Sequence, residues 1–227
     1  MEERHIPCHL GIIMDGNGRW AQKNGKKRSY GHRKGALNVE KIVEHAFRRG
    51  VSAVSLFAFS SENWKRPKEE VDAILDLIRD YFDRYLKRLV KNGVAVRVMG
   101  EISALPSDLQ ASIARVTADT AGGKTVLNIG INYGGRQEIV RAANILCQKG
   151  ALVTEESFSA ALDTVGLPPL DFLIRTGGEK RLSNFMLFEA AYAELYFTDV
   201  YWPDFGKADL DEALEDYSRR KRRFGSL

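Results

Sequence analysis

Residues 12–20 read Ile-Ile-Met-Asp-Gly-Asn-Gly-Arg-Trp, so an apolar strand runs directly into a glycine loop. Glycines let backbone N–H groups approach phosphate oxygens closely, and Arg19 can bind two such oxygens with its planar guanidinium fork. Asp15 would repel a phosphate unless a divalent cation lay between them. If this loop binds phosphate, it therefore predicts a diphosphate held together with Mg²⁺.

Two other interpretations stay open from the residues of this loop alone. The Gly-Asn-Gly segment at residues 16–18 also suits a tight turn, with Asp15 capping a following helix. The spacing of its two glycines and Ala21 matches a variant of the dinucleotide-binding fingerprint. That fingerprint needs an acidic residue about twenty positions further on, at the end of the next strand. In this chain the corresponding residues, 32–35, lie in a segment with a helical pattern.

The same combination of features recurs further along the chain. Apolar runs at residues 12–14, 126–131 and 172–174 each end in a glycine loop that carries arginine. In an open parallel sheet the carboxyl ends of the strands line one edge, so these loops are expected to converge on one crevice. A crevice with several arginines can hold two phosphorylated substrates. The alternative is that each arginine pairs with a surface carboxylate, an arrangement that contributes little stability.

The composition is that of one ordinary globular domain. The chain has 227 residues, 44% hydrophobic and 28% charged, and we predict a single domain over residues 1–227. Lysine and arginine exceed aspartate and glutamate by 34 to 30. The basic runs at residues 23–28 and 219–223 lack the interleaved aromatic residues of a nucleic-acid platform, so no nucleic-acid binding is expected.

The cysteines and the apolar runs indicate the compartment. Cys8 and Cys147 form no C-x-x-C pair and are expected to be reduced thiols. No apolar run reaches the length of a membrane span, and the first residues lack a signal peptide. We therefore expect a cytoplasmic protein.

Strand and helix patterns alternate along the chain, which predicts a single α/β domain with a mostly parallel central sheet of about six strands flanked by helices. The crossovers between parallel strands are expected to be right-handed. The strands located by pattern occupy residues 10–14, 51–59, 95–99, 125–132 and 171–176. The helices located by pattern occupy residues 34–49, 67–93, 106–121, 136–149 and 155–162, with a terminal helix from Asp209.

The helix predicted at residues 67–93 is apolar over a wide arc, because Leu77, Tyr81 and Tyr85 form a second stripe beside the first. We expect it to contact two different surfaces. Its aspartates invite comparison with the metal-binding motif of trans-type isoprenoid synthases, but helical spacing places them opposite the core face, where local ion pairs are the better interpretation. These aspartates are Asp72, Asp76, Asp80 and Asp83, near Arg79, Arg84 and Lys87.

Residues 122–125, Gly-Gly-Lys-Thr, look like the end of a P-loop. Ala118 stands where the first glycine of that motif belongs, and the segment leads into a predicted strand. A P-loop is therefore excluded.

Taken together, the motifs resemble the cis-prenyltransferases, most closely the bacterial undecaprenyl diphosphate synthases. The resemblance covers nearly the whole chain, and several motifs are long and unlike any common turn. They lie at residues 14–20 (MDGNGRW), 31–32 (GH), 59–67 (FSSENWKRP), 132–136 (NYGGR), 175–185 (RTGGEKRLSNF), 194–197 (ELYF), 202–205 (WPDF) and 223–225 (RFG).

The resemblance implies a head-to-tail condensation in which isopentenyl diphosphate units lengthen an allylic diphosphate, typically farnesyl diphosphate, with cis double bonds. Breaking the allylic carbon–oxygen bond places negative charge on the departing diphosphate. A metal ion and preorganised guanidinium groups therefore stabilise the transition state more than the ground state. The cofactor implied is Mg²⁺.

The resemblance also assigns roles to individual residues. Asp15 is expected to hold the metal, with Glu194 helping to place it. Asn63 is expected to assist proton removal, although a neutral amide is a poor base and would act by positioning a relay. The allylic diphosphate is assigned to Gly16, Asn17, Gly18, Arg19, Arg28 and His32, with Trp20 near the allylic chain. The isopentenyl diphosphate is assigned to Arg175, Arg181 and Ser183, with Leu182 among the substrate-binding residues. The mobile loop over the substrates is assigned to Ser60, Ser61, Glu62, Asn63, Trp64 and Arg66.

A growing polyisoprenoid needs an apolar tunnel, and the helix predicted at residues 67–93 is expected to supply one wall. Ala58 would leave the entrance open, and Leu127 and Ile129 would lie near the sheet side. The resemblance further implies a homodimer, in which Arg223 and Gly225 reach toward the partner's active site. Peripheral membrane contact for product release is also expected. In that family the region that helps to build the dimer corresponds to an aromatic cluster, which is expected to be either core or interface: Tyr192, Tyr196, Phe197, Tyr201, Trp202 and Phe205.

Two rival functions are kept. One is a non-catalytic partner subunit of a catalytic homologue, against which the intact Asp15 loop and the cluster at residues 175–181 argue. The other is a nucleotide-dependent oxidoreductase that uses Gly16 and Gly18.

Overall fold

The computed structural model describes residues 5–85 and 92–220. Side chains are described for these residues except residues 84 and 85. One sheet of six parallel strands lies at its centre, which confirms the predicted fold class. The strands are β1 (His9–Ile13), β2 (Ala53–Ser60), β3 (Val94–Met99), β4 (Thr125–Tyr133), β5 (Phe172–Arg175) and β6 (Glu194–Phe197).

Helices flank this sheet and alternate with its strands. They are α1 (Asn17–Lys23), α2 (Arg28–Arg48), α3 (Lys68–Asp80), α4 (Ser107–Thr120), α5 (Gly135–Gln148), α6 (Glu155–Ser159) and α7 (Lys207–Arg219). Short 3-10 turns occupy Ser61–Lys65, Ile102–Ala104, Glu189–Tyr192 and Trp202–Asp204, and a π-helical turn occupies Tyr81–Tyr85.

β1 reads as a continuous apolar run because both faces of the sheet are covered. All five of its residues are buried. Ile12 belongs to the larger core cluster, which includes Val43 of α2 and Leu214 of α7. Ile13 points to the opposite face and joins a smaller cluster with Tyr133 and Phe185. The alternation of neighbouring side chains along a strand thus divides the core into two layers.

The strand order is β3-β4-β2-β1-β5-β6. β2, β3 and β4 therefore lie on one side of β1, and β5 and β6 lie on the other. Ile13 is the register partner of both Phe57 and Arg175, and Arg175 is the partner of Phe197. The loops after β1, β2 and β5 therefore leave the sheet at one edge. This reversal of order at β1 is where parallel α/β sheets open a ligand crevice.

The beginning of the chain is more helical than its sequence predicts. Residues 17–23 form α1, although the pattern indicated a loop, and α2 begins at Arg28 and not at residue 34. Gly31 and Gly35 lie where the two helices pack closely, against Asn17 of α1. A Cβ atom on Gly31 would lie 1.9 Å from the carbonyl oxygen of Asn17.

The sixth strand, β6, was expected in number but not located by pattern. It has four residues, all of them only partly buried, and pairs with β5 alone at the sheet edge. Such a short, half-buried strand carries little hydrophobic signal.

The helix expected at residues 67–93 ends earlier as a regular α-helix. α3 stops at Asp80 and the π-helical turn Tyr81–Tyr85 follows. Residues 86–91, which include Lys87, lie outside the described residues, and so do the side chains of Arg84 and Tyr85. Arg223 and Gly225 also lie outside the described residues.

The aspartates of this helix lie on the surface, and Asp72 and Asp76 form the expected local ion pairs, whereas Asp83 pairs with another helix. Asp72 pairs with Lys68 at 2.5 Å, and Asp76 pairs with Arg79 at the same distance of 2.5 Å. Asp83 pairs with Arg115 at 3.2 Å. The prediction of a solvated surface is confirmed for these residues.

Three smaller expectations can also be compared with the structure. Residues 122–125 lead into β4, so the exclusion of a P-loop is confirmed. Cys8 and Cys147 are free and exposed. Across residues 5–85 and 92–220, none of the helices combines the length and apolarity needed to cross a bilayer.

Candidate active site

A cavity of about 630 Å³ opens at the carboxyl ends of β1, β2 and β5. It is lined by residues of three loops that are far apart in sequence. The loops after β1 and β5 were predicted to converge here, whereas the third is the loop after β2 and not the predicted loop after β4. Arg136, from the loop after β4, borders a smaller neighbouring cavity of about 230 Å³ together with Ser183. The predicted site residues in the lining of the main cavity are Asp15, Asn17, His32, Ser60, Glu62, Asn63, Arg66, Arg175, Arg181 and Ser183.

The backbone at Asp15 is fixed by the chain segments around it. Gly16 has a φ of 102°, a left-handed conformation that favours glycine. The carbonyl oxygen of Asp15 accepts hydrogen bonds from the Thr176 hydroxyl at 2.7 Å and from the Trp202 N–H at 3.0 Å. A Cβ atom on Gly16 would lie 2.6 Å from the ring of Tyr201. The loop therefore has one conformation, which aims the Asp15 carboxylate at the cavity.

The Asp15 carboxylate is surrounded by hydrogen-bond donors and positive charge. Its Oδ1 accepts the N–H of Gly16 at 2.6 Å, and its Oδ2 lies 2.9 Å from Arg175 Nη2 and 3.2 Å from Arg19 Nη2. Burial alone would raise the pKa of Asp15, but the Arg175 hydrogen bond, the Arg19 charge and the Gly16 N–H together hold that pKa below its usual value. The carboxylate is therefore ionised at neutral pH.

Arg175 is the buried centre of the site, with 4% of its side chain exposed. Besides Asp15, its guanidinium donates through Nη1 to Ser183 Oγ at 2.6 Å and to the carbonyl oxygen of Arg181. Its Nε is buried and lacks a hydrogen-bond partner among the described residues. A buried donor of this kind is costly unless a ligand satisfies it. Arg175 thus holds three groups of the site in place, and its Nε–H stays without a partner among the described residues.

Some arginines of the glycine loops do pair with a surface carboxylate, as the alternative interpretation expected. Arg181 lies 2.5 Å from Glu179, and Arg19 lies 3.4 Å from the same side chain. The Arg181 side chain is 62% exposed, so this pair restrains it weakly. Arg19 also reaches Asp15, and therefore the surface pairs coexist with the convergence on the cavity.

Arg28, His32 and Arg66 meet at one carboxylate, that of Glu70 in α3. Arg66 Nη1 lies 2.7 Å from it, His32 Nε2 3.2 Å, and Arg28 Nε 3.4 Å. Burial lowers the pKa of His32 and outweighs the opposing contact with Glu70. The two arginines therefore supply the positive charge at this end of the cavity, and His32 acts at neutral pH as an uncharged hydrogen-bonding group.

The loop after β2 is held against the rest of the site at several points. Trp64 donates from Nε1 to Asn132 Oδ1 at 2.8 Å, and Glu62 accepts from Asn184 Nδ2 at 2.8 Å. Asn63 lines the cavity, but its Oδ1 accepts the Ser60 N–H at 3.1 Å. This hydrogen bond fixes the orientation of the Asn63 amide, and its positioning role stays a prediction.

A second, apolar cavity of about 100 Å³ lies next to the first, between α2, α3 and the sheet. Met14, Asn17, His32, Ala58 and Ile74 line both cavities. Beyond these shared residues, the apolar cavity is lined by side chains that include Leu56, Leu77, Ile78, Tyr81, Phe82 and Ile129. The polar site therefore adjoins an apolar compartment whose walls include α3 and Ile129, whereas Leu127 is buried in the core. A tunnel for the whole product stays a prediction.

Not every predicted site residue reaches the two cavities. Trp20 stacks on Tyr30 with ring centroids 6.2 Å apart and lines neither. Ser61 has a buried hydroxyl oxygen without a partner among the described residues. Leu182 packs against the smaller core cluster and borders the neighbouring cavity. The remaining predicted residues, Gly16, Gly18, Arg19, Arg28 and Trp64, surround the lining through the contacts given above or, for Gly18, beside Arg28.

Glu194 is separated from Asp15 within the chain. It is the register partner of Phe172 at the start of β6, whereas the site lies beyond Arg175 and Phe197, about 10 Å further along the strand. Its carboxylate pairs with Arg220 at 2.8 Å. The expectation that Glu194 and Asp15 hold one metal ion is therefore not met within a single chain.

Two site residues were missed by the sequence interpretation. Glu70 looked like an ordinary acidic residue in the first turn of a helix, and nothing in its sequence neighbourhood shows that three basic side chains meet it. Asn184 links Glu62 to the loop after β4, where its Oδ1 accepts the Arg136 N–H at 2.8 Å. Its φ of 66° is a left-handed conformation, which asparagine tolerates better than most residues. The residue type alone does not distinguish this position from an ordinary turn.

The sequence as a whole can be compared with known families. The prenyltransferase family described as undecaprenyl diphosphate synthase matches residues 13–225. The chain belongs to this family. The dinucleotide-binding interpretation of the Asp15 loop is therefore abandoned, in agreement with the position of residues 32–35 inside α2.

Individual relatives agree with this assignment over almost their full length. The isoprenyl transferase of Treponema denticola is 47% identical over 220 residues, which are 96% of this chain and 97% of that protein. The ditrans,polycis-undecaprenyl-diphosphate synthase of Escherichia coli K12, whose name specifies (2E,6E)-farnesyl diphosphate, is 47% identical over 96% of this chain and 89% of its own. Among solved structures, lavandulyl diphosphate synthase from Lavandula x intermedia, in complex with dimethylallyl diphosphate, superposes with a TM-score of 0.93 at 35% identity, covering 97% of this chain and 99% of that one.

Proposed function

We propose that this protein is a cis-prenyltransferase that condenses isopentenyl diphosphate units onto farnesyl diphosphate and releases a long polyprenyl diphosphate of undecaprenyl size. One observation carries the proposal. A single cavity holds an ionised Asp15 between Arg175 and Arg19, and it adjoins an apolar compartment. Two diphosphates and one growing hydrocarbon chain require that combination of charge and apolar surface. The names of the Escherichia coli and Lavandula relatives support the substrate class.

The two diphosphates are assigned to different groups of residues in the site. Arg19, Arg28, His32 and the N–H groups at the start of α1 face the allylic diphosphate, where a helix N-terminus favours an anion. Arg175, with Ser183 and Arg181 beside it, binds the isopentenyl diphosphate through its unpartnered Nε. When the allylic carbon–oxygen bond breaks, the double bond of isopentenyl diphosphate attacks the allylic carbon and a proton then leaves the adjacent carbon.

Asn63 and the Ser60–Arg66 segment position the groups around that proton. The Asn63 oxygen already accepts from Ser60, so we assign proton acceptance to a diphosphate oxygen or a water and orientation to the amide. Preorganised guanidinium groups stabilise the negative charge that develops on the leaving diphosphate, because they do not have to reorient during the reaction.

Mg²⁺ is the cofactor that we propose. The described residues contain no cluster of three or more His, Cys, Asp or Glu side chains suited to a metal ion. One ionised carboxylate, Asp15, nevertheless fits Mg²⁺, which is commonly held by one or two carboxylates together with substrate phosphate oxygens. The ion would supply charge neutralisation on the leaving diphosphate. Glu194 and Asp15 could hold the same ion only across a contact between two copies of the chain, because they are separated within one copy.

We propose a homodimer with cytoplasmic location and peripheral membrane contact at product release. Support for the dimer comes from an open groove of about 1000 Å³ that contains Phe158, Phe188 and Tyr192, the last with 77% of its surface exposed. Aromatic residues are enriched at protein interfaces, so this groove is the surface that we assign to the contact between two copies. Sedimentation equilibrium at micromolar concentration measures the assembly directly, and a monomer at all concentrations contradicts it.

The growing chain is expected to enter the apolar cavity past Ala58. Ala58→Leu should shorten the product by several isoprene units, because the added side chain fills the passage shared by both cavities. Leu77→Ala should lengthen the product, because it enlarges the same compartment. Thin-layer chromatography of the dephosphorylated products measures both changes. Equal product lengths in the two variants and the wild type would place the hydrocarbon chain elsewhere.

The reaction itself is tested with purified protein, farnesyl diphosphate and radiolabelled isopentenyl diphosphate. We expect a long-chain lipid product in the presence of Mg²⁺, no product after addition of EDTA, and recovery when excess Mg²⁺ is restored. Activity that survives EDTA would contradict the metal assignment alone. Absence of any lipid product would contradict the catalytic assignment and favour a non-catalytic partner subunit, which would then be tested by adding a catalytic homologue.

A further inference from the structure

In the described residues, Glu70 is the carboxylate on which Arg28 and His32 of the allylic subsite converge together with Arg66 of the loop after β2. Arg28 and His32 belong to the first two turns of α2, Arg66 ends the turn after β2, and Glu70 lies in the first turn of α3. Three separate elements therefore meet at this one side chain.

The geometry points to a function for this convergence. We propose that Glu70 is a positioning residue for the allylic diphosphate, which holds Arg28, His32 and Arg66 together as a preformed diphosphate-binding group. This inference rests on the proposed function, in that it concerns the same subsite. Glu70 acts through the three side chains and does not itself touch the substrate.

The position of Glu70 fits an indirect role. His32 and Arg66 line the main cavity, whereas Glu70 does not and has 15% of its side chain exposed. It therefore lies behind the side chains that face the substrate. A carboxylate in the cavity itself would repel a diphosphate, but one behind the basic groups holds them in place.

The contacts of Glu70 are unequal in a way that suits ligand binding. Oε1 lies 2.7 Å from Arg66 Nη1 and 3.2 Å from His32 Nε2, both hydrogen-bond distances. Both contacts with Arg28 are longer, 3.4 Å for Nε and 3.4 Å for Nη2, and the Arg28 side chain is 45% exposed. Arg66 is thus held firmly, while Arg28 is kept near the site and remains able to turn toward a phosphate oxygen.

Charge gives a reason why a carboxylate is required here. Arg28 and Arg66 repel each other and disfavour protonation of His32, and Glu70 opposes both effects. Burial would raise the pKa of Glu70, but Arg28 and Arg66 lower it overall, so the side chain is ionised. Without this charge the long side chains of both arginines would be expected to disperse into solvent before the substrate arrives.

The test compares Glu70→Ala and Glu70→Gln with Glu69→Ala, an exposed neighbour on the same helix turn. Inorganic pyrophosphate is titrated into histidine-labelled protein, and the His32 ring resonance, identified by its loss in His32→Asn, reports binding at this subsite. We expect pyrophosphate to bind about tenfold more weakly in Glu70→Ala, the size of effect of a lost hydrogen bond to a charged group. Glu70→Gln should weaken binding less and should lower the pKa of His32 further, because the hydrogen-bonding shape remains while the charge is lost.

Steady-state kinetics supplies a second readout. Glu70→Ala should raise the KM for farnesyl diphosphate by about the same tenfold factor and leave the KM for isopentenyl diphosphate nearly unchanged, because Arg175 and Arg181 are not in contact with Glu70. Thermal unfolding of each variant shows whether it is folded, and the milder Glu70→Gln keeps the test open if the alanine variant is not.

Each outcome decides the proposal. Tighter pyrophosphate binding in Glu70→Gln would mean that Glu70 competes with the substrate, and unchanged binding would mean that it does not organise the subsite; both overturn the inference. An equally large loss of pyrophosphate affinity in Glu69→Ala would mean that any nearby negative charge has this effect, which also overturns the inference. If the wild type forms no lipid product, the proposed function fails while the pyrophosphate titration still tests Glu70.

Discussion

Asp15→Asn is expected to lower the turnover number by roughly 10³-fold, the loss typical when a group that stabilises developing charge is removed. Asparagine keeps the size of the side chain and can still accept the Gly16 N–H. It is neutral, however, and therefore a weak ligand for Mg²⁺. Because negative charge on the diphosphate grows in the transition state, the loss should appear in kcat more than in the KM of either substrate.

Initial rates with labelled isopentenyl diphosphate over a range of Mg²⁺ concentrations measure this effect. Asp72→Asn, an exposed change in an ion pair with Lys68, is the matched control and should retain full activity. Asp15→Ala is expected to be as inactive and less stable, since it leaves the buried Arg175 without its counter-ion. Activity of Asp15→Asn within tenfold of the wild type, with an unchanged Mg²⁺ requirement, would remove Asp15 from its assigned role.

The part of this fold that could be predicted is the part encoded in long local patterns. β1 is fully buried, so its apolar run is continuous and its end at the glycine loop is visible in the sequence. β2, β4 and α5 are found within about two residues of their predicted bounds for the same reason. Where a segment buries most of one or both faces, hydrophobicity and structure carry the same information.

The parts that could not be predicted depend on contacts between distant residues. α1 and the first turn of α2 contain the glycines that permit close packing of the two helices, and the same glycines indicate a loop when read locally. β6 exists because β5 offers an open edge, not because its own residues alternate. Tertiary pairing outweighed local propensity in both cases.

The candidate site shows the same division. Motif residues such as Asp15 and Arg175 were identified because their types suit diphosphate chemistry, and the structure brings them to within 2.9 Å of each other. Glu194 belongs to one of the motifs but lies away from Asp15, because the strand register puts it at the other end of β6. Glu70 lies beside the site, in contact with Arg28, His32 and Arg66, but no motif assigned it a role. Sequence patterns thus identified the chemistry of the site, and only the fold shows which side chains position it.

Arg175→Lys is expected to lower kcat/KM for isopentenyl diphosphate by roughly 10²-fold or more. The guanidinium of Arg175 contacts Asp15 through Nη2 and Ser183 through Nη1 at the same time, and its Nε is left for a substrate oxygen. A lysine ammonium keeps the charge but cannot reach three partners in this planar arrangement. Each hydrogen bond to a charged group contributes about 1.5–3 kcal/mol, so the loss of two accounts for an effect of this size.

The comparison with Arg115→Lys separates this effect from loss of arginine in general. Arg115 pairs with Asp83 on the surface, 61% exposed, and its replacement should leave the kinetics unchanged. Steady-state rates with isopentenyl diphosphate varied at saturating farnesyl diphosphate, and then the reverse, assign the defect to one substrate. We expect the larger change for isopentenyl diphosphate, because Ser183 and Arg181, the other groups assigned to that substrate, are held by Arg175 itself. If Arg175→Lys stays within threefold of the wild type for both substrates, the buried guanidinium serves only to hold the loop, and the isopentenyl subsite must be sought around Arg181 and Arg136.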